Sequence, residues 1–477
     1  MRTLGCALLA LASCAAPAAR PGADRPNVVF VLLDNVGQEW FGCYGSEEGA
    51  TPNIDRLAAE GVRFEHCTTH PVCGPSRVML LTGRYPFRTG WTMHHDAALY
   101  SGGGLDPARE TTVARVLRDA GYRTAIAGKW QVNNLYDEPG VLGRHGFDEQ
   151  LVWPGSIDRD RVTPEQWAAF LESVRRGRAQ ELASANKDIE SRYWDPVLLR
   201  NGVRERHPGK FGPDVLHEFA LDFVRRNRER PFFLYFPIPL THGQSFLEPT
   251  IATPLNRGRE LGERERFADM LRYADRLVGT LVRALEEAGL RERTVLFVAS
   301  DNGTEKSLSA RRSGRVVKGG LYQLTVAGGS VAFLANAPGR FPGGRTGALS
   351  DFSDVLPTIC DLTGAPPPAG ILLDGRSLAP FLLGREKETP RTWIFNQYYT
   401  RRVVQDRRHK LYSTGELYDI VDDPEESRNL AAAPPPAAAE ARDRLAQVLA
   451  SLPPDTPLPF PFRSISAFQL REQGLMK

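Results

Sequence analysis

The amino-acid sequence predicts an α/β fold in which a large, mainly parallel sheet lies between layers of helices, followed by a small C-terminal α+β subdomain. Three observations predict it: an apolar, β-branched run near the N-terminus, a repeated alternation of helix and strand patterns, and a change of pattern beyond residue 388. The 477 residues are 42% hydrophobic and 25% charged, a composition typical of globular proteins. This length accommodates one large domain and a smaller one.

The first predicted strand is a continuous apolar run over residues 26–33, with the sequence Pro-Asn-Val-Val-Phe-Val-Leu-Leu. A β-branched run without polar alternation is typical of a strand that is buried on both faces of a sheet. The run ends at Asp34-Asn35. A helix over residues 53–61 is predicted next, because its apolar spacing ends at Gly61.

Helix and strand patterns then alternate along the chain. In order, they predict helix 111–121, strand 123–127, helix 213–226, strand 232–237, helix 264–288 and strand 294–299. Repeated units of this kind build a parallel sheet between helices.

Beyond residue 388 the patterns are those of short strands and one helix. The strands are predicted at residues 392–399, 403–404, 409–412 and 416–419, and the helix at 437–452. We therefore predict a main domain over residues 26–387 and a C-terminal subdomain over residues 388–477.

The N-terminal residues 1–22 have the pattern of an export signal: one positive charge, a short apolar stretch and then small residues. Residues 11–14, Leu-Ala-Ser-Cys, resemble a bacterial lipobox, which would place a lipid anchor on Cys14. A plain cleaved peptide and a misplaced start codon stay open as alternatives. We predict an exported protein, located in the periplasm, on the outer cell surface or outside the cell. No later segment approaches the roughly 20 apolar residues that span a bilayer.

Charge and cysteine content exclude two classes of protein. With 60 basic and 57 acidic residues the formal net charge is +3, and no basic block is interleaved with aromatic residues, so no nucleic-acid partner is predicted. Of the six cysteines, Cys6 and Cys14 lie in the signal region. The four that remain in a large domain do not form a disulfide framework.

Cys73 lies just before an apolar run that follows Arg77 and predicts the start of a helix. Because Pro75 has no backbone donor, we expect a turn at Gly74-Pro75 that interrupts regular structure. A thiol before a helix N-terminus faces unpaired N–H groups and the positive end of the helix dipole, which favours a reactive or oxygen-rich side chain. A small buried cysteine is the commoner alternative.

Polar side chains follow several of the predicted strands within a few residues. Because binding groups gather at the carboxyl ends of parallel strands, we expect one site there, formed by Asp34, Asn35, Lys129, His242, Asp301 and Asn302. The carboxylate and amide oxygens among them suit Ca²⁺ or Mg²⁺, and a flexible set with side-chain amides favours Ca²⁺.

The run Cys73, Pro75, Ser76, Arg77, followed by Thr-Gly-Arg at residues 82–84, resembles the Cys-x-Pro-Ser-Arg signature of the sulfatase family. Further motifs occur in the family's order at residues 127–130, 300–303, 354–358, 374–378 and 416–419. On these motifs the chain is identified as a member of the formylglycine-dependent (type I) sulfatases, within the alkaline phosphatase-like superfamily. The resemblance implies that residues 26–387 are the catalytic domain and that the C-terminal subdomain contains an antiparallel sheet.

The resemblance also implies a role for each site residue. Cys73 would be oxidised after translation to formylglycine (3-oxoalanine) by a maturation enzyme, and its hydrate would be the nucleophile and a metal ligand. Arg77 would hold the hydrate, and Lys129 and Lys318 would bind sulfate oxygens. His242 would protonate the departing alcohol. Asp34, Asn35, Asp301 and Asn302 would complete the shell of the divalent metal.

Three features depart from the family pattern. Asn35 stands where the family has a second aspartate, so the site carries one less negative charge. Gln131 replaces the histidine of Gly-Lys-Trp-His and cannot accept a proton at neutral pH, so a base role does not transfer to it. The segment 321–330, after Lys318, lacks the usual acidic residue. We interpret these features as subfamily character, because the nucleophile motif is intact.

The predicted function is hydrolysis of sulfate esters by an exported sulfuric ester hydrolase acting on a sulfated small molecule or a sulfated carbohydrate. One alternative is hydrolysis of phosphate mono- or diesters on the same scaffold. The other is a non-catalytic homologue that binds sulfated glycans, which the departures at Asn35 and Gln131 motivate. The segment 158–203 and the pair His94-His95 are expected to set specificity, without a recognisable code for the substrate.

Overall fold

The structure is a computed structural model that describes residues 25–95, 103–155, 193–242 and 250–461, together with single positions between 163 and 172. The predicted export signal, Cys14 and most of the segment 158–203 lie outside the described residues. Within the described residues, no helix is long and apolar enough to cross a membrane.

The described strands are numbered in chain order. They are β1 Asn27–Leu33, β2 Val62–Thr68, β3 Arg123–Lys129, β4 Glu149–Trp153, β5 Val197–Arg200, β6 Val203–Arg206, β7 Phe232–Pro237, β8 Thr294–Ser300, β9 Ser309–Arg312, β10 Arg315–Lys318, β11 Phe333–Asn336, β12 Gly344–Asp351, β13 Ile394–Tyr398, β14 Arg401–Gln405, β15 His409–Tyr412 and β16 Leu417–Asp419.

The described α-helices are numbered in the same way. They are α1 Pro52–Glu60, α2 Cys73–Thr82, α3 Pro86–Thr89, α4 Val113–Asp119, α5 Val141–Arg144, α6 Gly212–Arg226, α7 Glu263–Glu287, α8 Val326–Gly329, α9 Val355–Thr363, α10 Ala379–Leu382 and α11 Pro436–Ser451.

A ten-stranded sheet in the order β12-β2-β11-β8-β1-β7-β3-β4-β5-β6 forms the centre of the molecule. Strand β1 pairs in parallel with β7 and β8, and β3 pairs in parallel with β7 and β4. Antiparallel pairing is limited to β11 in the interior and to β5 and β6 at one edge. The prediction of a mainly parallel sheet between helices is therefore confirmed.

The two faces of the sheet are covered by two separate hydrophobic cores. Alternate residues of β1 point to opposite faces: Val28, Phe30 and Leu32 join one core, and Val29 and Val31 join the other. All of them are fully buried, which explains why the sequence of β1 is an unbroken apolar run.

Helix α2 differs from its prediction. It begins at Cys73 and runs through Gly74 and Pro75, so the expected interruption at these two residues is wrong. Proline is tolerated there because the first backbone N–H groups of a helix have no partner within the helix.

The C-terminal subdomain is a four-stranded antiparallel sheet in the order β13-β14-β15-β16, with α11 packed against it. Its apolar residues, among them Phe395, Val403 and Leu411, belong to the same core as one face of the large sheet. The subdomain is thus fused to the main domain through apolar packing. The domain division at residue 388 stays a prediction, and the antiparallel sheet begins shortly after it.

A buried ionic group, which we call the Arg391 cluster, lies where the two parts meet. It consists of Tyr85, Asp351, Ser353, Asp354 and Arg391. The Arg391 guanidinium donates to both carboxylate oxygens of Asp354, with distances of 2.5–2.8 Å, and to the Tyr85 hydroxyl at 2.9 Å. The Tyr85 hydroxyl donates to Asp351 Oδ2 at 2.8 Å, and Ser353 donates to Asp351 Oδ1.

Candidate active site

The carboxyl ends of β8, β1, β7 and β3 meet at one edge of the sheet, because these neighbouring strands are parallel. Asp34-Asn35 follow β1, and Asp301-Asn302 follow β8. The Asp301 N–H donates to the Leu33 carbonyl at 3.0 Å, and the Asn35 N–H donates to Asp301 Oδ1 at 3.1 Å. The strand ends are therefore hydrogen-bonded to each other, and the acidic and amide side chains come together as predicted.

The segment after β7 is attached to the same edge. The Thr241 N–H and hydroxyl both donate to the Asp34 carbonyl, at 3.0 and 2.9 Å, and the Asp34 N–H donates to the Leu240 carbonyl. His242 comes next; its side chain is half-buried and its carbonyl accepts a hydrogen bond from the Tyr193 hydroxyl. The backbone of His242 is thus adjacent to the site, while the role of its imidazole as a proton donor stays a prediction.

Helix α2 supplies Cys73 and Arg77, which lie one turn apart on the same helix face. The fully buried Arg77 guanidinium donates to Asp301 Oδ2 at 2.7 Å and to the Lys129 carbonyl at 2.8 Å. Its Nη2 also lies 3.7 Å from Asp34 Oδ2. Arg77 therefore fixes the first turn of α2 against the ends of three strands.

Lys129, the last residue of β3, connects the carboxylates to the thiol. Its Nζ donates to Asp34 Oδ2 at 2.7 Å and lies 3.8 Å from Cys73 Sγ. The lysine is fully buried. A buried ammonium is costly unless a carboxylate compensates it, and Asp34 does so here. We call Asp34, Cys73, Arg77, Lys129 and Asp301 the active-site cluster.

The donor atoms fit a divalent cation. One ligand atom each from Asp34, Cys73 and Asp301 lie within 4.8 Å of one another. Asn302 Nδ2 donates to Asn35 Oδ1 at 2.7 Å, whereas the buried Asn302 Oδ1 has no hydrogen-bond partner among the residues that the structure describes. Buried oxygens of carboxylates and amides are the ligands that Ca²⁺ and Mg²⁺ prefer.

Comparison with known proteins decides the family. The model of the Sulfatase family matches residues 26–365. The chain belongs to the sulfatase family. Arylsulfatase A of Homo sapiens is 35% identical over 407 residues, which cover 83% of this chain and 74% of that protein. N-acetylgalactosamine-6-sulfatase of Canis lupus familiaris is 32% identical over 398 residues, covering 80% of this chain and 70% of that protein. These relatives identify the protein as a sulfuric ester hydrolase.

Solved structures agree with this fold. The crystal structure of Ps i-CgsB in complex with k-i-k-neocarrahexaose has a TM-score of 0.73 and 24% sequence identity, and the match covers 94% of this chain and 97% of that chain. At this identity the likeness concerns the fold alone.

Burial dominates the electrostatics of this sulfatase. Burial and the neighbouring Asp34 raise the pKa of Asp301 to about 6, although Arg77 and Lys129 act in the opposite direction. Burial also raises the pKa of the Cys73 thiol, and Lys129 compensates only in part. The thiol is therefore neutral at pH 7, so its position at the start of α2 does not make it a thiolate nucleophile.

Gln131 lies beside His94, which we had linked from the sequence only to substrate specificity. Its backbone is in the left-handed region, with φ of 71°, and its Nε2 lies 3.5 Å from His94 Nε2. His94 is buried, and its Nδ1 faces Gly74 in the first turn of α2. The glycine at the x position of Cys-x-Pro-Ser-Arg was the sequence signal for this contact, since glycine there leaves room for a neighbouring side chain.

Lys318 is the predicted site residue that the described contacts do not join to the cluster. It ends β10 in a two-stranded hairpin with β9, and its side chain is exposed. Its ammonium group forms neither a hydrogen bond nor an ion pair with the described residues. Its role as a sulfate ligand stays a prediction.

Proposed function

We propose that the protein hydrolyses sulfate esters with a formylglycine nucleophile derived from Cys73 and a divalent cation held by Asp34, Asn35, Asp301 and Asn302. One observation carries the proposal: Cys73 Sγ lies 3.8 Å from Lys129 Nζ and within 4.8 Å of the Asp34 and Asp301 carboxylates. In the mature enzyme this sulfur stands for the oxygens of the aldehyde hydrate, which would then face both the cation ligands and a sulfate-binding lysine.

The first half of the reaction transfers the sulfuryl group to the enzyme. Lys129 and Lys318 bind the sulfate oxygens and oppose the negative charge of the transition state, while Arg77 orients the hydrate. A hydroxyl of the hydrate gives its proton to water and its oxygen attacks sulfur, the S–O bond to the alcohol breaks, and His242 gives its own proton to the departing oxygen. When bound, the cation neutralises sulfate charge and lowers the pKa of the hydrate hydroxyl.

The second half releases sulfate. The remaining hydroxyl of the hydrate loses its proton, its oxygen forms the aldehyde C=O bond, and the C–O bond to the sulfate group breaks with release of the sulfate ion. Water then hydrates the aldehyde again. An unmodified cysteine has no second hydroxyl, so it has no equivalent route for releasing sulfate.

The cation is proposed to be Ca²⁺, with Mg²⁺ as the alternative. Two side-chain amides, Asn35 and Asn302, stand beside two carboxylates, and amide oxygens are common ligands in the larger and more flexible shell of Ca²⁺. Asn35 removes one negative charge from the ligand set, so we expect weaker binding than with an aspartate at this position.

The substrate is proposed to be a sulfated carbohydrate. The name of the relative N-acetylgalactosamine-6-sulfatase specifies a sulfated sugar, and the structure of Ps i-CgsB contains an oligosaccharide. The predicted export signal at residues 1–22 agrees with a polysaccharide substrate outside the cytoplasm, with a lipid anchor at Cys14 as one form of export. A formylglycine-generating maturation enzyme is the implied partner.

The test is mass spectrometry of the peptide that contains Cys73, from protein made in its native host. We expect formylglycine in place of cysteine; an unmodified thiol throughout would overturn the mechanism. Paired sulfate and phosphate esters of one alcohol then separate the reaction classes, since the proposal requires faster turnover of the sulfate ester. Modified protein that binds sulfated glycans but hydrolyses none of them would support the binding function instead.

A further inference from the structure

A histidine from a separate segment, His94, lies against the residue that follows the nucleophile. A Cβ atom at Gly74 would lie 2.6 Å from His94 Nδ1 and 3.4 Å from the Trp91 ring. Gly74 does not have a positive φ, so the backbone conformation itself does not require glycine. Its missing side chain instead lets the imidazole approach the backbone beside Cys73.

The segment that carries His94 is anchored two residues earlier, at Thr92. The Thr92 carbonyl accepts a hydrogen bond from the Tyr399 N–H at 2.6 Å and lies 3.3 Å from His70 Nε2. His70 and Thr92 are both buried. The backbone that leads to His94 is therefore held in position before any substrate binds.

Gln131 contacts the other ring nitrogen of His94, at 3.5 Å between its Nε2 and His94 Nε2. The buried Gln131 Oε1 has no hydrogen-bond partner within the described part of the chain. With the amide oxygen and nitrogen exchanged, this oxygen accepts from the Nε2–H of His94. That tautomer leaves the lone pair on Nδ1, which faces Gly74, the residue after Cys73.

The imidazole is neutral and therefore able to take a proton. Burial, with smaller contributions from Lys129, His95 and His70, lowers the pKa of His94 to about 3, while Asp34 acts against them. A sulfate group bound at Lys129 would offset the lysine charge. The pKa of His94 would therefore be higher while the sulfate group is bound than in the free enzyme.

We propose that His94, oriented by Gln131, accepts the proton from the second hydroxyl of the formylglycine hydrate. This proposal rests on the proposed function. The O–H bond breaks and an N–H bond forms at His94 Nδ1; the oxygen's electron pair forms the aldehyde C=O; and the C–O bond to the sulfate breaks, so that the sulfate ion leaves with its electrons. The proton then passes to water. Gln131, which cannot itself act as the base, is a positioning residue.

The experiment is single-turnover kinetics of His94→Ala combined with intact-protein mass spectrometry. We expect one equivalent of alcohol per enzyme in a burst, then turnover reduced by about 10²-fold or more, as for loss of a general base. The enzyme mass should rise by one SO₃ group. If His94→Ala does not fold, His94→Gln, which keeps most of the side-chain volume, carries the same expectation.

A rescue and a matched control sharpen the test. Adding Gln131→His to His94→Ala supplies an imidazole from the position that contacts His94 in the wild type, so we expect faster turnover and loss of the adduct. His217→Gln, at another buried histidine on α6, should turn over without an adduct.

Two results would overturn the role of His94: wild-type turnover without an adduct in His94→Ala, or a folded and modified variant that lacks the alcohol burst. Wild-type protein that carries formylglycine and hydrolyses no sulfate ester would instead contradict the proposed function. The two failures are therefore distinguishable.

Discussion

Two buried groups of charges, the active-site cluster and the Arg391 cluster, are built from the same kinds of residue. They differ in how fully the polar atoms in and around them are hydrogen-bonded. In the Arg391 cluster, Arg391 donates to Asp354, Asp351 and Tyr85, and the carboxylates receive further donors from neighbouring residues. Beside the active-site cluster, the buried oxygen Asn302 Oδ1 has no partner among the described residues.

The pKa shifts alone do not distinguish the two groups. Burial raises the pKa of Asp301 in the active-site cluster and of Asp351 in the Arg391 cluster to about 6 in each case. Completeness of hydrogen bonding does distinguish them, because native proteins rarely leave buried polar atoms unpaired without a reason. The complete cluster joins two parts of the fold, whereas the incomplete one is prepared for a ligand.

The largest expected effect is on activity, from Cys73→Ala. Removing the nucleophile should lower kcat by about 10⁴-fold or more, because the remaining groups cannot form a covalent intermediate. The Tm should change little, since the only hydrogen bond of Cys73 Sγ within the described residues is the long one from Lys129. Hydrolysis of an aryl sulfate and thermal unfolding measure the two; full activity in the variant would remove Cys73 from the mechanism.

The converse variant is Arg391→Met, which should act on stability. Removing one partner of a buried ion pair leaves uncompensated carboxylates and costs about 3–5 kcal/mol. Urea unfolding measures this, with Arg408→Met as the control: Arg408 pairs with Asp419 and Asp422 at the surface, where solvent screens ion pairs and their loss changes the free energy of unfolding little. Equal losses in both variants would mean that the Arg391 cluster is not the stabilising junction inferred here.

A pH series with and without Ca²⁺ compares the clusters directly. A carboxyl group whose pKa is higher in the folded state binds its proton more tightly there, so its stabilisation is present in acid and lost as pH rises through about 6. For either aspartate this amounts to about 3 kcal/mol. Saturating Ca²⁺ should abolish the contribution of Asp301 and leave that of Asp351 unchanged.

The readout of this series is Tm against pH for Asp301→Asn and Asp351→Asn. Asp351→Asn should flatten the curve in both buffers, and Asp301→Asn only without Ca²⁺. A Ca²⁺ response that is the same in both variants would argue against a cation site at Asp301.

The smallest expected effect is that of Asn35→Asp, which adds a carboxylate to the active-site cluster. The new side chain can still accept from Asn302 Nδ2, as Asn35 Oδ1 does now at 2.7 Å. We expect about tenfold tighter Ca²⁺ binding from the added charge, measured by calorimetry on chelator-treated protein. Unchanged affinity would place residue 35 outside the metal shell.

The sequence predicted the strands and the edge at which the site forms, because apolar runs define buried parallel strands and parallel strands place their ends together. It placed Asp34, Lys129 and Asp301 in one site on this ground. The Arg391 cluster was not predictable in this way: Arg391 and Tyr85 are far apart in the chain, and no local pattern relates them. His94 lies in an irregular segment, where no periodicity indicates which way a side chain points.

All ten residues of α2 are buried, and Cys73 is only 5% exposed. The residues that pack against α2 include 352–363, which are synthesised long after Cys73. On the proposed mechanism, an enzyme that oxidises Cys73 would therefore have access only while the chain is still being made or is not yet packed. Modification of Cys73 and folding of the chain would then compete in time during biosynthesis. Molecules that fold first would be stable, correctly shaped and permanently inactive, so the specific activity of a preparation would report the timing of its production.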